Sequence, residues 1–198
     1  ATMSLYQALS LTFNLTYAAV LITLLVLTAR PLIKGAPFVP TSMKRIRLAL
    51  KMAKVKPGEK VYDLGCGDGR LVMEAVKVYG AEGIGIEYSP LVYWLACFRR
   101  YLSGIKTKLI YGSYRNFKLK DADVVFCFLM PERLPELKEK FSQELKAGSR
   151  VITYAWPIPG WKISKVARPI KGKNLFRLFL YELPAKKSSK LKSTKHFS

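Results

Sequence analysis

The sequence predicts a parallel α/β sheet domain that ends in an antiparallel hairpin and follows a single transmembrane helix. Three observations carry that reading. Residues 1–29 hold no charged side chain, strand-like and helix-like segments alternate from Lys60 onward, and a glycine-dense turn, Asp63-Leu-Gly65-Cys-Gly67-Asp-Gly69, joins the first strand to the helix after it. Alternation of this kind makes neighbouring strands parallel, because each crossover consumes a helix. The 198 residues, half of them hydrophobic, suffice for one globular domain with a short appendage.

The appendage comes first. Leu9 to Ala29 is rich in Leu, Val, Ile and Ala, and as a helix it is long enough to cross a hydrocarbon core of roughly 30 Å. Its threonines can bond back to helix carbonyls, and Arg30 with Pro31 is expected to stop it. A cleaved signal peptide carries a basic leader and small residues at the cut site, whereas this segment begins uncharged and exits through Leu27-Thr-Ala-Arg30. Residues 1–29 are therefore read as an uncleaved anchor and 30–40 as a linker. Basic residues beginning at Arg30 and Lys34 place the domain, residues 41–183, on the cytosolic or matrix-equivalent side.

Thr41 or Ser42 is a good N-cap for an amphipathic helix carrying Ile46, Ala49, Leu50 and Met52, which Pro57-Gly58 ends. The alternation follows: strand 60–64, helix 68–79, strand 83–87, helix 91–103, strand 108–111, strand 122–128, helix 132–146, strand 150–154. Only eight residues separate Tyr111 from Lys120, too few for a full crossover helix, so that connection is expected to be degenerate. Beyond Trp161 two strand-like runs, 162–167 and 175–183, joined through Pro169 and Gly172, form the hairpin. Residues 184–198 are a Lys- and Ser-rich tail without apolar periodicity, expected to be disordered.

The formal net charge is +21, from 34 Lys and Arg against 13 Asp and Glu. Partners are therefore anionic, and both a lipid surface and a nucleic acid backbone qualify. Cys66, Cys97 and Cys127 form no CxxC pair and His196 is the one histidine, so neither a disulfide framework nor a metal site is expected.

The glycine turn carries the chemistry. Glycines at 65, 67 and 69 let a ligand approach the backbone without Cβ obstruction. Dinucleotide folds use such a turn to hold a pyrophosphate at a helix N-terminus, which Asp63 and Asp68 would repel. A ligand with an amino group and a sulfonium welcomes those acids instead, and S-adenosylmethionine has both. The next strand ends at Glu87, an acid roughly 20 residues beyond the loop and placed to accept ribose hydroxyls.

The Asp-Leu-Gly-Cys-Gly-Asp-Gly run with its downstream Glu resembles class I methyltransferases. Ala36-Pro-Phe-Val-Pro-Thr-Ser42, Gly65-Cys-Gly-Asp-Gly-Arg70, Gly85-Ile-Glu-Tyr-Ser-Pro90 with Trp94, Asp123-Val-Val-Phe and Pro157-Ile-Pro-Gly-Trp161 narrow the resemblance to the ATP synthase c-subunit lysine methyltransferase family. That family also includes the adenine nucleotide translocase lysine methyltransferase and prokaryotic relatives. The resemblance implies a Rossmann-like class I methyltransferase sheet, S-adenosylmethionine as cofactor, and a membrane-associated protein carrying the target lysine. It implies cofactor contacts at Asp63, Gly65, Cys66, Gly67, Asp68, Gly69, Glu87, Tyr88, Ser113 and Tyr114. It also implies a site-closing role for the Pro-Phe-Val-Pro segment, and Pro40 with the following Thr41 is assigned to the substrate channel. Ser89 stands where the family usually has Asn, and Ser113 where it usually has Asp.

Ligands in such folds bind beyond the carboxyl ends of the strands, which selects Phe128, Met130 and Pro131 after the fourth strand and Trp156 and Pro157 after the fifth as an acceptor channel. No catalytic base is named, since methyl transfer to an amine asks mainly for alignment. Glu132 is expected to cap its helix. Three rival functions stand beside protein-lysine methylation: methylation of RNA or DNA, methylation of a lipid or quinone headgroup, and a non-catalytic membrane-tethered scaffold. The run Phe128-Leu-Met-Pro-Glu132 lacks the Asn- or Asp-Pro-Pro-aromatic ending common in enzymes that methylate exocyclic base amines.

Overall fold

In the computed structural model, the residues described are 4–34, 38–168 and 176–184. Two helices precede the sheet, α1 (Leu5–Lys34) and α2 (Met43–Met52). The alternation then runs β1 (Lys60–Leu64), α3 (Arg70–Tyr79), β2 (Glu82–Glu87), α4 (Pro90–Ser103), β3 (Lys108–Tyr111), β4 (Val124–Cys127), α5 (Leu134–Glu144), β5 (Arg150–Tyr154), β6 (Lys165–Ala167) and β7 (Leu178–Glu182). The strands form one seven-stranded sheet in the order β3-β2-β1-β4-β5-β7-β6. β7 runs antiparallel to both neighbours and the other pairings are parallel. The expected hairpin is present, with its second strand inserted between β5 and β6. Its Pro169 and Gly172 turn, and the basic tail from residue 185, lie outside the described residues.

Both faces of the sheet are covered, and alternate residues of each strand supply the two cores. Val124, Phe126, Ile152, Leu178 and Leu180 pack with Ile46 and Leu50 of α2. Val125, Val151, Phe179 and Tyr181 pack with Leu137 and Phe141 of α5. Between β3 and β4 the crossover shrinks to a single 3-10 turn, Tyr114–Asn116, as the short spacing requires.

The differences from expectation fall at element ends. α1 continues through Arg30-Pro31 to Lys34; a proline ring keeps a helical φ and costs one backbone bond, so three further residues can complete the turn. α3 starts at Arg70, because Gly67 and Gly69 stand at φ 59° and 76° and cannot be its first turn. A 3-10 turn, Pro131–Arg133, precedes α5, so Glu132 lies outside that helix, whose N-cap position is Arg133. The stretch of α1 from Leu5 to Val26 has a mean hydropathy of 1.9, by length and composition enough to cross a membrane, and none of its hydropathic window is buried against the domain.

Candidate functional site

A cavity of about 410 Å3 opens beyond the carboxyl ends of β1, β2, β4 and β5. Its floor is the glycine loop. Gly65, Gly67 and Gly69 stand at φ 80°, 59° and 76°, a left-handed conformation that only glycine adopts cheaply. A Cβ on Gly67 would also meet the Phe38 ring at 2.5 Å, so Phe38 packs directly on the loop, while Pro37 of the Pro-Phe-Val-Pro segment lies outside the described residues. Gly69 caps α3 and is itself outside the cavity lining.

Glu87 closes one side. Its Oε2 accepts from the Gly67 amide at 2.9 Å and its Oε1 from the Ser89 amide at 2.8 Å. Burial raises its pKa, and those two amides work against the rise. Asp63, at the end of β1, is buried. Desolvation, with Glu87 and Asp68 nearby, pushes its carboxyl well above the usual carboxylate range, and no Lys or Arg among the described residues pairs with it. A buried carboxyl in that condition is suited to receive a cation, whose charge would offset the desolvation.

Asp68 plays a different part from the one expected. Its carboxylate is held by Arg70 at 2.6 Å and by Arg99 at 3.0 Å, and Arg70 also donates to the Thr41 carbonyl at 3.0 Å. Asp68 lines the cavity, but two cations already answer its charge, so attraction for a positively charged ligand falls to Asp63 and Glu87.

Cys66, Tyr88, Ser113, Tyr114, Thr41 and Phe128 line the cavity with these groups. The Cys66 thiol is raised by burial and three neighbouring carboxyls, and Cys127 by burial and Asp63; both stay protonated and neither is an available nucleophile. The Ser113 hydroxyl accepts from the Arg115 amide at 3.4 Å. Pro40, Met130, Pro131, Trp156 and Pro157 do not line the cavity. After β5 the chain turns at Ala155, φ 79°, and the Thr153 hydroxyl donates to the Trp156 carbonyl at 2.7 Å. This turn leaves Trp156 exposed, and Tyr154 forms the wall in its stead.

Tyr154 and Arg45 are among the wall residues that the sequence reading did not name. Tyr154 packs against Phe128 with ring centroids 4.6 Å apart. Arg45 is fully buried and lies 5.7 Å from the Tyr154 ring. It donates to the Arg168 carbonyl at 3.1 Å and to the Phe176 carbonyl, while its Nε is buried without a partner among the described residues. The signal for Arg45 was its spacing, since it shares a helical face with Ala49 and Met52.

This donor set fits a ligand that presents a cation to Asp63 and hydroxyls to Glu87. The sequence of residues 63–165 matches the family model described as the ANTKMT methyltransferase domain. A protein-lysine N-methyltransferase of Saccharolobus islandicus is 32% identical over 148 residues, covering 73% of this chain and 92% of that protein. The ATP synthase c-subunit lysine N-methyltransferase of Xenopus laevis is 32% identical over 173 residues, covering 81% of this chain and 70% of that protein. Among solved structures, an RNA methyltransferase from Salinibacter ruber in complex with S-adenosyl-L-homocysteine superposes with a TM-score of 0.69 at 26% identity, covering 74% of this chain and 94% of that one.

Proposed function

The chain belongs to the ANTKMT methyltransferase family and is an S-adenosylmethionine-dependent methyltransferase, and on that premise we propose that it methylates a lysine of a membrane-associated protein while anchored by α1. The observation that carries this reading is the pairing of the cavity under Phe38, with its buried Asp63 and partly buried Glu87 carboxyls, and an apolar helix placed just before it in sequence. Both relatives named above are described as lysine methyltransferases, one of them for the ATP synthase c-subunit.

S-adenosylmethionine, when bound, supplies a methyl group activated by its sulfonium. The left-handed glycines let the loop backbone approach it, Asp63 holds the positive charge of its methionine part, and Glu87 accepts its ribose hydroxyls. Tyr88, Ser113 and Tyr114 supply the adenine side. Tyr154 and Phe128 wall the acceptor side and exclude water there, with Thr41 at the mouth. A free lysine has a pKa near ~10.4; entering this desolvated wall beside a positive charge favours the neutral amine. The residues walling this side would hold the lysine amine, its ammonium proton given up to solvent beforehand, in line with the methyl group that the bound cofactor would supply, the electron pair of the broken carbon–sulfur bond remaining with its sulfur. Alignment and desolvation suffice, without a base from the chain.

In this reading residues 1–29 are the anchor, 30–40 the link, 41–183 the catalytic domain and 184–198 a basic tail. The basic residues that begin with Arg30 and Lys34, in the last turns of α1, support a domain on the cytosolic or matrix-equivalent face, held against anionic lipid. A second reading, methylation of RNA, is favoured by the likeness to the Salinibacter ruber structure and by the net charge of +21. Incubation with methyl-labelled cofactor and separated membrane, soluble and RNA fractions tests the two. Label on a membrane protein lysine supports the first reading, label only in RNA supports the second, and no label in any fraction overturns both.

A further inference from the structure

α4 is apolar on both sides. Ala96 is fully buried, and Val92, Tyr93 and Cys97 are partly buried on the same side, toward the sheet. On the opposite side Leu91, Trp94, Leu95, Phe98, Tyr101 and Leu102 are exposed, Trp94 at 70% and Tyr101 at 83%. Their spacing at i, i+3, i+4, i+7, i+10 and i+11 gathers them into one stripe about 120° wide, the width of a face that normally meets a core. α1 touches α4, yet these six side chains stay exposed among the described residues. Contiguous exposed apolar surface of this kind on a folded domain marks an interaction site.

Three features select the occupant. Trp and Tyr are the side chains that favour the headgroup level of a bilayer, where an apolar ring and a polar edge are both accommodated. The C-terminal end of the stripe is bordered by the exposed Lys106 and Lys108, which complement anionic headgroups rather than an apolar protein groove. And α4 is in contact with α1, the helix of membrane-spanning length. We propose that α4 is a second membrane element, lying in the plane of an anionic lipid monolayer with Trp94, Phe98, Tyr101 and Leu102 inserted among the upper acyl chains. The inference deepens the membrane placement read for α1. Because Ser89 and Val92 of the α4 N-terminus also line the cavity, the insertion sets the cavity mouth against the bilayer surface.

The test uses the full chain reconstituted into vesicles of phosphatidylcholine and phosphatidylglycerol, with lipids brominated either near the top or near the end of the acyl chain. The Trp94 signal is taken as the difference between the natural chain and Trp94→Phe. The expected result is strong quenching of Trp94 by shallow bromine, weak quenching by deep bromine, and a rise in shallow quenching as phosphatidylglycerol replaces phosphatidylcholine. A Phe98→Ser, Leu102→Ser variant, altered only at exposed positions, should lose most of that quenching while still binding cofactor. If the chain floats with the vesicles but Trp94 is unquenched at either depth, the α4 proposal fails while the anchor stands. A chain that does not float at all sinks both.

Discussion

The Glu87 carboxylate accepts a hydrogen bond from the Gly67 amide at 2.9 Å, joining the end of β2 to the middle of the glycine loop. Its other oxygen holds the Ser89 amide at 2.8 Å, at the start of α4. One side chain thus fixes the three segments that frame the cofactor's ribose in the proposed binding mode. Glu87→Gln keeps the shape but puts an NH2 group against an amide donor. Hydrogen bonds to charged groups contribute about 1.5–3 kcal/mol, so calorimetry should show cofactor binding weakened by roughly tenfold to a hundredfold with circular dichroism unchanged. Equal affinity would remove Glu87 from the site.

Gly67→Ala meets two obstacles, a left-handed φ of 59° and the Phe38 ring 2.5 Å from the added carbon. The backbone conformation alone costs about 1–2 kcal/mol. The variant should melt several degrees lower and bind cofactor poorly. Adding Phe38→Ala should relieve the clash but not the strain, so that thermal stability recovers only in part. Full recovery in the double variant would show that the backbone angle is immaterial.

Asp63 and Glu87 both have raised pKa values from burial. A carboxyl raised in the folded state binds more protons there than in the unfolded chain. The cofactor-free protein therefore loses stability as pH climbs from the ordinary carboxylate range through the raised pKa. Binding a cation reverses the preference, so cofactor affinity should fall as pH falls through that same window, with protons released on binding. Calorimetry in buffers of different ionisation enthalpy reads the release. Asp63→Asn should bind weakly and remove most of the pH dependence; a profile unchanged in that variant would count against Asp63 as the cation's partner.

Arg45 ties α2 to the carbonyls of Arg168 and Phe176 on the two arms of the terminal hairpin. Arg45→Met preserves bulk but takes the donor away from both part-buried carbonyls, at about 1 kcal/mol for each bond. Hydrogen exchange should quicken in β6 and β7 before it does in β1 and β4. Uniform quickening across the sheet would mean that Arg45 supports the whole domain rather than the hairpin.

The glycine loop and Glu87 were legible because each answers a local demand: a backbone at positive φ admits little but glycine, and a carboxylate at a strand end has a fixed distance to the loop. The sheet was legible through its alternation of apolar strands and amphipathic helices. Tyr154 and Arg45 were not, because their places depend on neighbours more than 20 residues away. The substitution of Tyr154 for Trp156 turns on Ala155, a residue with no preference for the left-handed angle it adopts, so nothing local announced the turn. Asp68 misled for the opposite reason. Its position was read correctly, but Arg99, which answers its charge, arrives from a helix whose packing no local pattern encodes.

That pairing has a geometric consequence. Asp68 sits in the loop proposed to cradle the cofactor, and Arg99 rides on α4 at 3.0 Å from it, so the loop cannot shift relative to that helix without breaking an ion pair whose acidic partner is buried. Whatever surface α4 rests on becomes a datum from which the methyl group stands at a set height. Selection among lysines would then be made by elevation: one at the right level above the surface is reached, and one a helical turn higher or lower is passed over, even with the same residues around it.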